Sequence, residues 1–479
     1  MNNRIIVATL LVTSFIITGC TPKKEEDNTS KVDGTMQERL EKIKAISDVK
    51  KLSNGSDFKS VYSFRFEQYI DHNNKSLGTF KQQVELGFNG FDVPNVYVST
   101  GYTMFYENNS YYETNENEIA FLLDCNYVFV EHRYFDDSLP VTIDYNDTNT
   151  WQYLTTEQAA ADAHEVVTQL KRALNGKWVS TGASKGGMTT ELYAYYYPED
   201  MDLYVPYVAP FCNSFADKRM IQFIYEEAGN VQYGETKATQ MRSDILSFQI
   251  KMLEWRETLA PKFYQYGLSA GARYSNYLTQ DNLYDSCVLE FSIGFWQYQQ
   301  DYTTLKNCLA MSENTSAALT EKQNSFFNFF VGITSPEDVS LNNEFTPYYI
   351  QAYQELGNYG YDFSYIRNAL PEGVTLTITE EEESTLMWKL VLNESQLALP
   401  HKELAYSKIN NMLATIDKPF VIIYGSSDPW YAVRPDDVDR DNISIYVNTK
   451  HPHGANISNF GTKIQREILS KIKTALGVQ

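Results

Sequence analysis

The stretch Lys177–Tyr197 constrains this chain's fold more than any other. An extended run, Lys177-Trp178-Val179-Ser180-Thr181, leads into Gly182-Ala183-Ser184-Lys185-Gly186-Gly187. A helical run through Met188, Leu192 and Tyr195 follows and stops at Pro198. Strand, Gly-x-Ser-x-Gly and helix, in that order, read as a nucleophile elbow. The turn is so tight that side chains two residues either side of the serine would collide, so both positions are glycine. It lifts the hydroxyl above a sheet and aims a helix N-terminus at it. Free N–H groups and the helix dipole there stabilise developing negative charge.

The flanking patterns fit an α/β-hydrolase sheet. Met36–Leu52 is a short amphipathic helix candidate, and Val61–Ile70 with Thr79–Phe88 reads as a hairpin. Asn95–Thr100 is a strand that ends at Gly101-Tyr102, and Tyr127–Val130 is a buried strand running into Glu131-His132-Arg133. Thr155 with Gln158 three residues later is a capping box, opening a helix with Ala159, Ala163, Val166, Val167, Leu170 and Leu174 on one face. Leu203–Val208 is a further strand. From Phe211 to Ala414 the alternation breaks into a mainly helical, aromatic-rich section, read as a cap over the strand ends. Within it the run Glu380–Glu383 reads as a solvated helix start. The sheet resumes at Pro419–Tyr424 and Ile443–Val447, before a closing helix to about Leu476. The expected plan is a catalytic domain of residues 46–210 and 415–479, with residues 211–414 inserted between the elbow half and the acid/histidine half.

On this fold the triad runs serine, acid, histidine, the last two on loops after late strands. Ser184, then Asp428 after one strand, then His453 after the next, satisfy that order. Of six histidines, His72, His132 and His164 precede the serine, and His401 precedes the strand delivering the acid. His451 and His453 remain. His453 is preferred because Gly454 lets the loop turn back over the site, whereas Pro452 constrains His451. A serine hydroxyl needs a base to take its proton, and that base needs a carboxylate to fix its tautomer. The oxyanion-hole donors are expected from the Lys185 N–H and from the loop at Gly101-Tyr102.

These residues carry a resemblance. Tyr69-Ile70-Asp71-His72, Gly78-Thr79-Phe80, Gly101-Tyr102, Val130–Phe135, Tyr153–Gln158, Trp178–Met188, Val208-Ala209-Pro210, Tyr424-Gly425, Asp428-Pro429-Trp430 and His453-Gly454-Ala455 resemble the S37 family of serine peptidases. Its members are secreted bacterial prolyl tri- and tetrapeptidyl aminopeptidases. The Glu-His-Arg-Tyr and Thr-Glu-Gln pieces are shared with the S28 Pro-Xaa carboxypeptidases and dipeptidyl peptidases; Lys185, where those typically have tyrosine, favours S37. In the insertion only Phe295–Tyr298 is similar. The resemblance implies the triad Ser184, Asp428 and His453, no cofactor, and release of short peptides from free N-termini with proline before the cut. Trp430 and Glu131 are candidate substrate-binding residues. Glu131 follows an apolar strand and could pair with the substrate α-ammonium; it could equally hold its loop through Arg133 or an N–H, or the anchor could be an acid of the cap. An esterase or lipase on the same fold, or a surface-binding lipoprotein without catalysis, are the competing readings.

The chain has 479 residues and a formal net charge of -21, which makes nucleic acid and anionic membrane surfaces poor partners. No Cys-x-x-Cys or His-x-x-x-His spacing supports a metal site. Cys125, Cys212, Cys287 and Cys308 are enough for two disulfides, but their spacing identifies no pairs. Met1–Gly19 reads as a signal peptide, with Arg4 before the apolar run Ile5–Ile17. It ends Ile17-Thr18-Gly19-Cys20, a bacterial lipobox; the plainer alternative is an ordinary secretory peptide with an incidental cysteine. Residues 20–45 are then a lipidated tether, and Lys23-Lys24-Glu25-Glu26-Asp27 resembles the export signal of surface lipoproteins. The expected location is the bacterial cell envelope, at the outer membrane and exposed on the surface, held by lipid alone. Replacing Cys20 with Ser should move the protein out of the membrane fraction; undiminished retention would refute the anchor.

Overall fold

The computed structural model describes residues 30–52, 58–104, 118–337 and 339–478. The signal peptide, Cys20 and most of the expected tether lie outside the described residues. Nine strands form one sheet: β1 Ile46–Leu52, β2 Ser60–Tyr69, β3 Thr79–Phe88, β4 Asn95–Ser99, β5 Asn126–Val130, β6 Trp178–Ala183, β7 Leu203–Tyr207, β8 Phe420–Gly425 and β9 Ile443–Asn448. Their spatial order is β1-β2-β3-β5-β4-β6-β7-β8-β9. β1, β2 and β3 pair antiparallel, as do β3 and β5, while every pair from β5 across to β9 is parallel. Every residue of β4, β5, β7 and β8 is buried, as a parallel sheet covered on both faces requires. The capped helix Thr156–Leu170 and the elbow helix Lys185–Tyr196 pack on one face, contributing Val166, Leu170, Met188 and Leu192. The closing helix Thr462–Leu476 covers the other with Ile468, Ile472 and Leu476. This is the α/β-hydrolase arrangement with an antiparallel edge.

The N-terminal reading needs correction. Only Met36–Glu41 is helical, held by a Thr35/Glu38 capping box, and Ile46–Leu52 pairs with β2 as an edge strand. A one-turn helix cannot sustain itself without packing, and β1 gains a ladder of hydrogen bonds instead. Residues 30–45 are not all tether either. The Val32 N–H donates to the Arg172 carbonyl at 3.1 Å, and Met36, Leu40 and Ile43 are buried in the core.

Between β7 and β8 the chain runs through helices from Arg219 to Leu397 before returning by helix Ala405–Thr415. That last helix packs against the elbow helix, with Lys408 Nζ donating to the Tyr196 hydroxyl at 3.2 Å. The expected boundary at 414/415 therefore falls inside a helix that belongs with the sheet. Glu383 is not solvated: it is buried and accepts from Arg367 at 2.8 Å. The four described cysteines are buried, and none of them is in a disulfide.

One charge in this framework is costly. Glu191, in the elbow helix, is fully buried, and among the described residues neither of its carboxylate oxygens has a hydrogen-bond partner. Burial pushes its carboxyl up from 4.5 to about 8. The folded protein then holds a proton that the unfolded chain releases, so this group makes stability fall as pH rises from about 4.5 to about 8. Glu191→Gln, which mimics the protonated acid, should raise Tm progressively more between pH 5 and pH 8. An unchanged difference across that range would show that Glu191 has no such shift.

Candidate active site

The elbow is a set of close backbone contacts. A Cβ on Gly182 would lie 2.5 Å from the Gly186 carbonyl oxygen, and one on Gly187 would lie 2.6 Å from the Tyr207 carbonyl. One on Gly186 would run into the Ser99 carbonyl at the end of β4. Ser184 itself sits at φ 55°, ψ -120°, where a non-glycine residue is strained. Strands β4, β6 and β7 thus leave room only for glycine around the serine, and the strain leaves Ser184 at the head of the elbow helix.

The β8 and β9 loops bring up the acid and the histidine. Asp428 is fully buried; its Oδ1 accepts from the Trp430 N–H at 3.1 Å and its Oδ2 pairs with His453 Nδ1 at 2.7 Å. Gly425 lets the histidine loop cross, since a Cβ there would collide with the Pro452 and His451 carbonyls. The His453 N–H donates to the Gln297 carbonyl of the cap at 3.3 Å, while His451 is exposed. Ser184 and His453 line one cavity, although no hydrogen bond joins them among the described residues. The Asp428–His453 pair is formed. The loop at Ile457 is further pinned by Glu118, which accepts from the Ile457 and Ser458 N–H groups at 2.6 and 3.0 Å. No motif had pointed to Glu118.

The loop after β4 lies against the elbow. A Cβ on Gly101, at φ +74°, would stand 2.7 Å from the Gly186 nitrogen, so this residue too must be glycine. Tyr102, Ser184 and Lys185 all line the cavity. It encloses about 440 Å³. Its far wall comes from the cap, including Gln297, Tyr348, Tyr359 and Tyr361, with Trp430 from the acid loop. Residues between Glu290 and Val391 of the section after β7 therefore share the cavity with Ser184.

Glu131 does not line that cavity. It is buried, and its Oε1 accepts from the Met104 N–H at 3.0 Å and the Thr103 hydroxyl at 3.1 Å. Its Oε2 accepts from the Ser138 hydroxyl at 2.6 Å. Burial raises its carboxyl pKa, with these donors opposing the shift. Both oxygens are used inside the protein, where Glu131 holds the loop after β4. Arg133 pairs with Asp162 at 2.7 Å, not with Glu131. The one carboxylate among the described lining residues is Glu290, in cap helix Gln280–Gln297. Its Oε1 accepts from the Tyr359 and Tyr361 hydroxyls at 2.7 and 2.5 Å. Sequence reading allowed for an acid from the cap but could not single out Glu290, whose partners lie some seventy residues further along the chain.

The sequence matches the family described as PS-10 peptidase S37 over residues 31–478. It is 26% identical over 367 residues to a prolyl tri/tetrapeptidyl aminopeptidase of Streptomyces mobaraensis, covering 76% of this chain and 69% of that protein. It is 32% identical over 151 residues to a lysosomal Pro-X carboxypeptidase of Bos taurus, covering 29% of each. Among solved structures, a proline iminopeptidase of Mycobacterium smegmatis is similar with a TM-score of 0.35 at 12% identity, over 86% of this chain and 96% of that one.

The geometry makes distinct demands on the two histidines. Ser184→Ala or His453→Ala should lower kcat by about 10⁴–10⁶ and Asp428→Asn by about 10⁴, whereas His451→Ala should be mild. Steady-state kinetics on a peptide substrate checks this, and a reversal of the two histidine effects would make His451 the base.

Proposed function

We propose that this chain, which belongs to the peptidase S37 family and is a serine peptidase, removes short peptides from free N-termini, cutting after proline. In this reading Ser184 Oγ attacks the scissile carbonyl while His453 Nε2 takes its proton. The Lys185 and Tyr102 N–H groups stabilise the oxyanion, and His453 returns the proton to the leaving amine. Water then attacks the acyl-enzyme with His453 again as base, freeing the short peptide and restoring the Ser184 hydroxyl. Asp428, bonded to Nδ1, fixes the tautomer that leaves Nε2 to act and balances the imidazolium. Lipidation at Cys20 would hold the enzyme at the cell envelope.

The observation that carries the exopeptidase reading is Glu290, the one carboxylate among the described residues in the wall of a capped cavity that holds Ser184. The Tyr359 and Tyr361 hydroxyls on Oε1 orient that carboxylate within the wall. An α-ammonium buried there unpaired would cost several kcal/mol, so blocked ends and internal segments are rejected by charge as well as shape. The same carboxylate would penalise an acyl chain, which disfavours the lipase reading. Trp430, edge-on to Tyr359 at 5.6 Å between ring centres, offers an aromatic wall beside Asp428 on which a proline ring can pack.

N-acetylating a tripeptide substrate with proline before the cut should lower kcat/KM by about a hundredfold, roughly 3 kcal/mol. Glu290→Gln, which still accepts from both tyrosines, should lose most of that discrimination by slowing turnover of the free peptide. Glu131→Gln should retain the discrimination. Equal turnover of free and acetylated peptides would end the aminopeptidase reading; full discrimination in Glu290→Gln would place the anchor elsewhere.

A further inference from the structure

Lys185 presents an unexplained cost. Its side chain is 2% exposed, and it forms no ion pair among the described residues. Burial pushes its ammonium down to about 7, with only the carboxylate of Glu355 pulling the other way. Methionine or leucine would fill such a space at less expense. The lysine does one thing those residues cannot: Nζ donates to the Gly101 carbonyl oxygen at 2.6 Å. It reaches that oxygen past the rings of Tyr102 and Phe135, whose centres lie 5.6 and 5.7 Å from Nζ.

In a trans peptide the carbonyl and the following N–H point in opposite directions. Fixing the Gly101 carbonyl therefore fixes the direction of the Tyr102 N–H. We propose that the Lys185 side chain is a positioning residue for the oxyanion hole, holding the Gly101–Tyr102 peptide so that the Tyr102 N–H faces Ser184. The proposal rests on Ser184 being the nucleophile.

The rest of the loop is held in ways that leave this peptide as its remaining degree of freedom. The Tyr102 carbonyl accepts from the His132 N–H at 3.1 Å and from the Thr100 hydroxyl at 2.8 Å. Glu131 fixes Thr103 and Met104 from the other side. Gly101, with φ +74° and no side chain, is the hinge about which the peptide could turn, and Lys185 is the only side chain bonded to its carbonyl among the described residues. A neutral amine donates an N–H as an ammonium does, so the lock does not require the charge that burial disfavours. One residue thus serves both halves of the hole: its backbone N–H is the first donor and its side chain aims the second.

Lys185→Met keeps the backbone donor and the length of the side chain but removes the lock. It should lower kcat at least a hundredfold with KM nearly unchanged, because the oxyanion exists only in the transition state. Affinity for a peptide boronate should fall in parallel, while affinity for the product peptide stays within about twofold. Wild-type kcat in a folded Lys185→Met, or a loss confined to KM, overturns the proposal. A crystal structure of the wild-type protein with the peptide boronate tests it without any variant. Lys185 Nζ should remain on the Gly101 oxygen with the Tyr102 N–H on a boronate oxygen; a Tyr102 N–H turned elsewhere refutes it. Activity or fluorophosphonate labelling surviving in Ser184→Ala would instead refute the nucleophile on which it rests.

Discussion

The structure depends on one steric constraint: the backbone of the elbow passes beneath the end of β4 with no room for a side chain. The Ser99 carbonyl stands where a Cβ of Gly186 would be, and Gly101 rests on the Gly186 nitrogen. Such contact is possible only because β4 and β6 are adjacent and parallel in the middle of the sheet. It sets the left-handed conformation of Ser184, and it brings the loop after β4 within reach of Lys185. The nucleophile and the loop beside it are therefore not separately placed parts. They are two sides of one glycine-lined contact, and the strain at Ser184 is borne by a sheet whose strands β4 and β7, on either side of the elbow strand, are wholly buried.

The sheet alone does not make an exopeptidase. What it offers is a serine, a base and an oxyanion loop at the strand ends, open to any ester or amide. Restriction comes from the cap, which turns that open site into a cavity with one described carboxylate and several aromatic side chains. The division of labour is physical. The parallel strands supply rigid backbone, suited to holding reacting atoms in place. The helical insertion supplies side chains from distant points, suited to a wall of chosen shape and charge. The contact of the His453 N–H with the Gln297 carbonyl ties the two, so the position of the base is coupled to that of the wall.

How much could be read beforehand follows the same division. The parallel strands were legible because burial on both faces forces short, continuous apolar runs, and the elbow because its glycines are imposed by contact. Asp428 and His453 were legible from chain order and from the scarcity of histidine. The edge was not: Ile46–Leu52 has a pattern compatible with helix or strand, and only pairing with β2 decides it. Glu131 stayed open between holding its loop and meeting a ligand because it follows a buried strand, where side chains commonly do the latter. Here β5 lies between β3 and β4, and its end is roofed by the loop 99–104 rather than opened to the cavity. Glu290 carried no local signal at all, since helix residue and tyrosine partners meet only through tertiary packing.

The contrast between those two glutamates bears on what the protein's charge can accomplish. A net charge of -21 surrounds the molecule with a potential that attracts any cationic end, whatever the sequence behind it. That attraction is screened within about 8 Å at physiological salt, so it raises encounter rates without telling one peptide from another. Selection requires a charge where water is excluded and where an unpaired ammonium has no alternative partner. Glu131 is buried but already saturated by its own loop, so it strengthens the frame and presents nothing to a ligand. Glu290 has Oε1 held by the Tyr359 and Tyr361 hydroxyls and stands in the cavity wall. Of the acids described around this site, it is the one that lines the cavity holding Ser184.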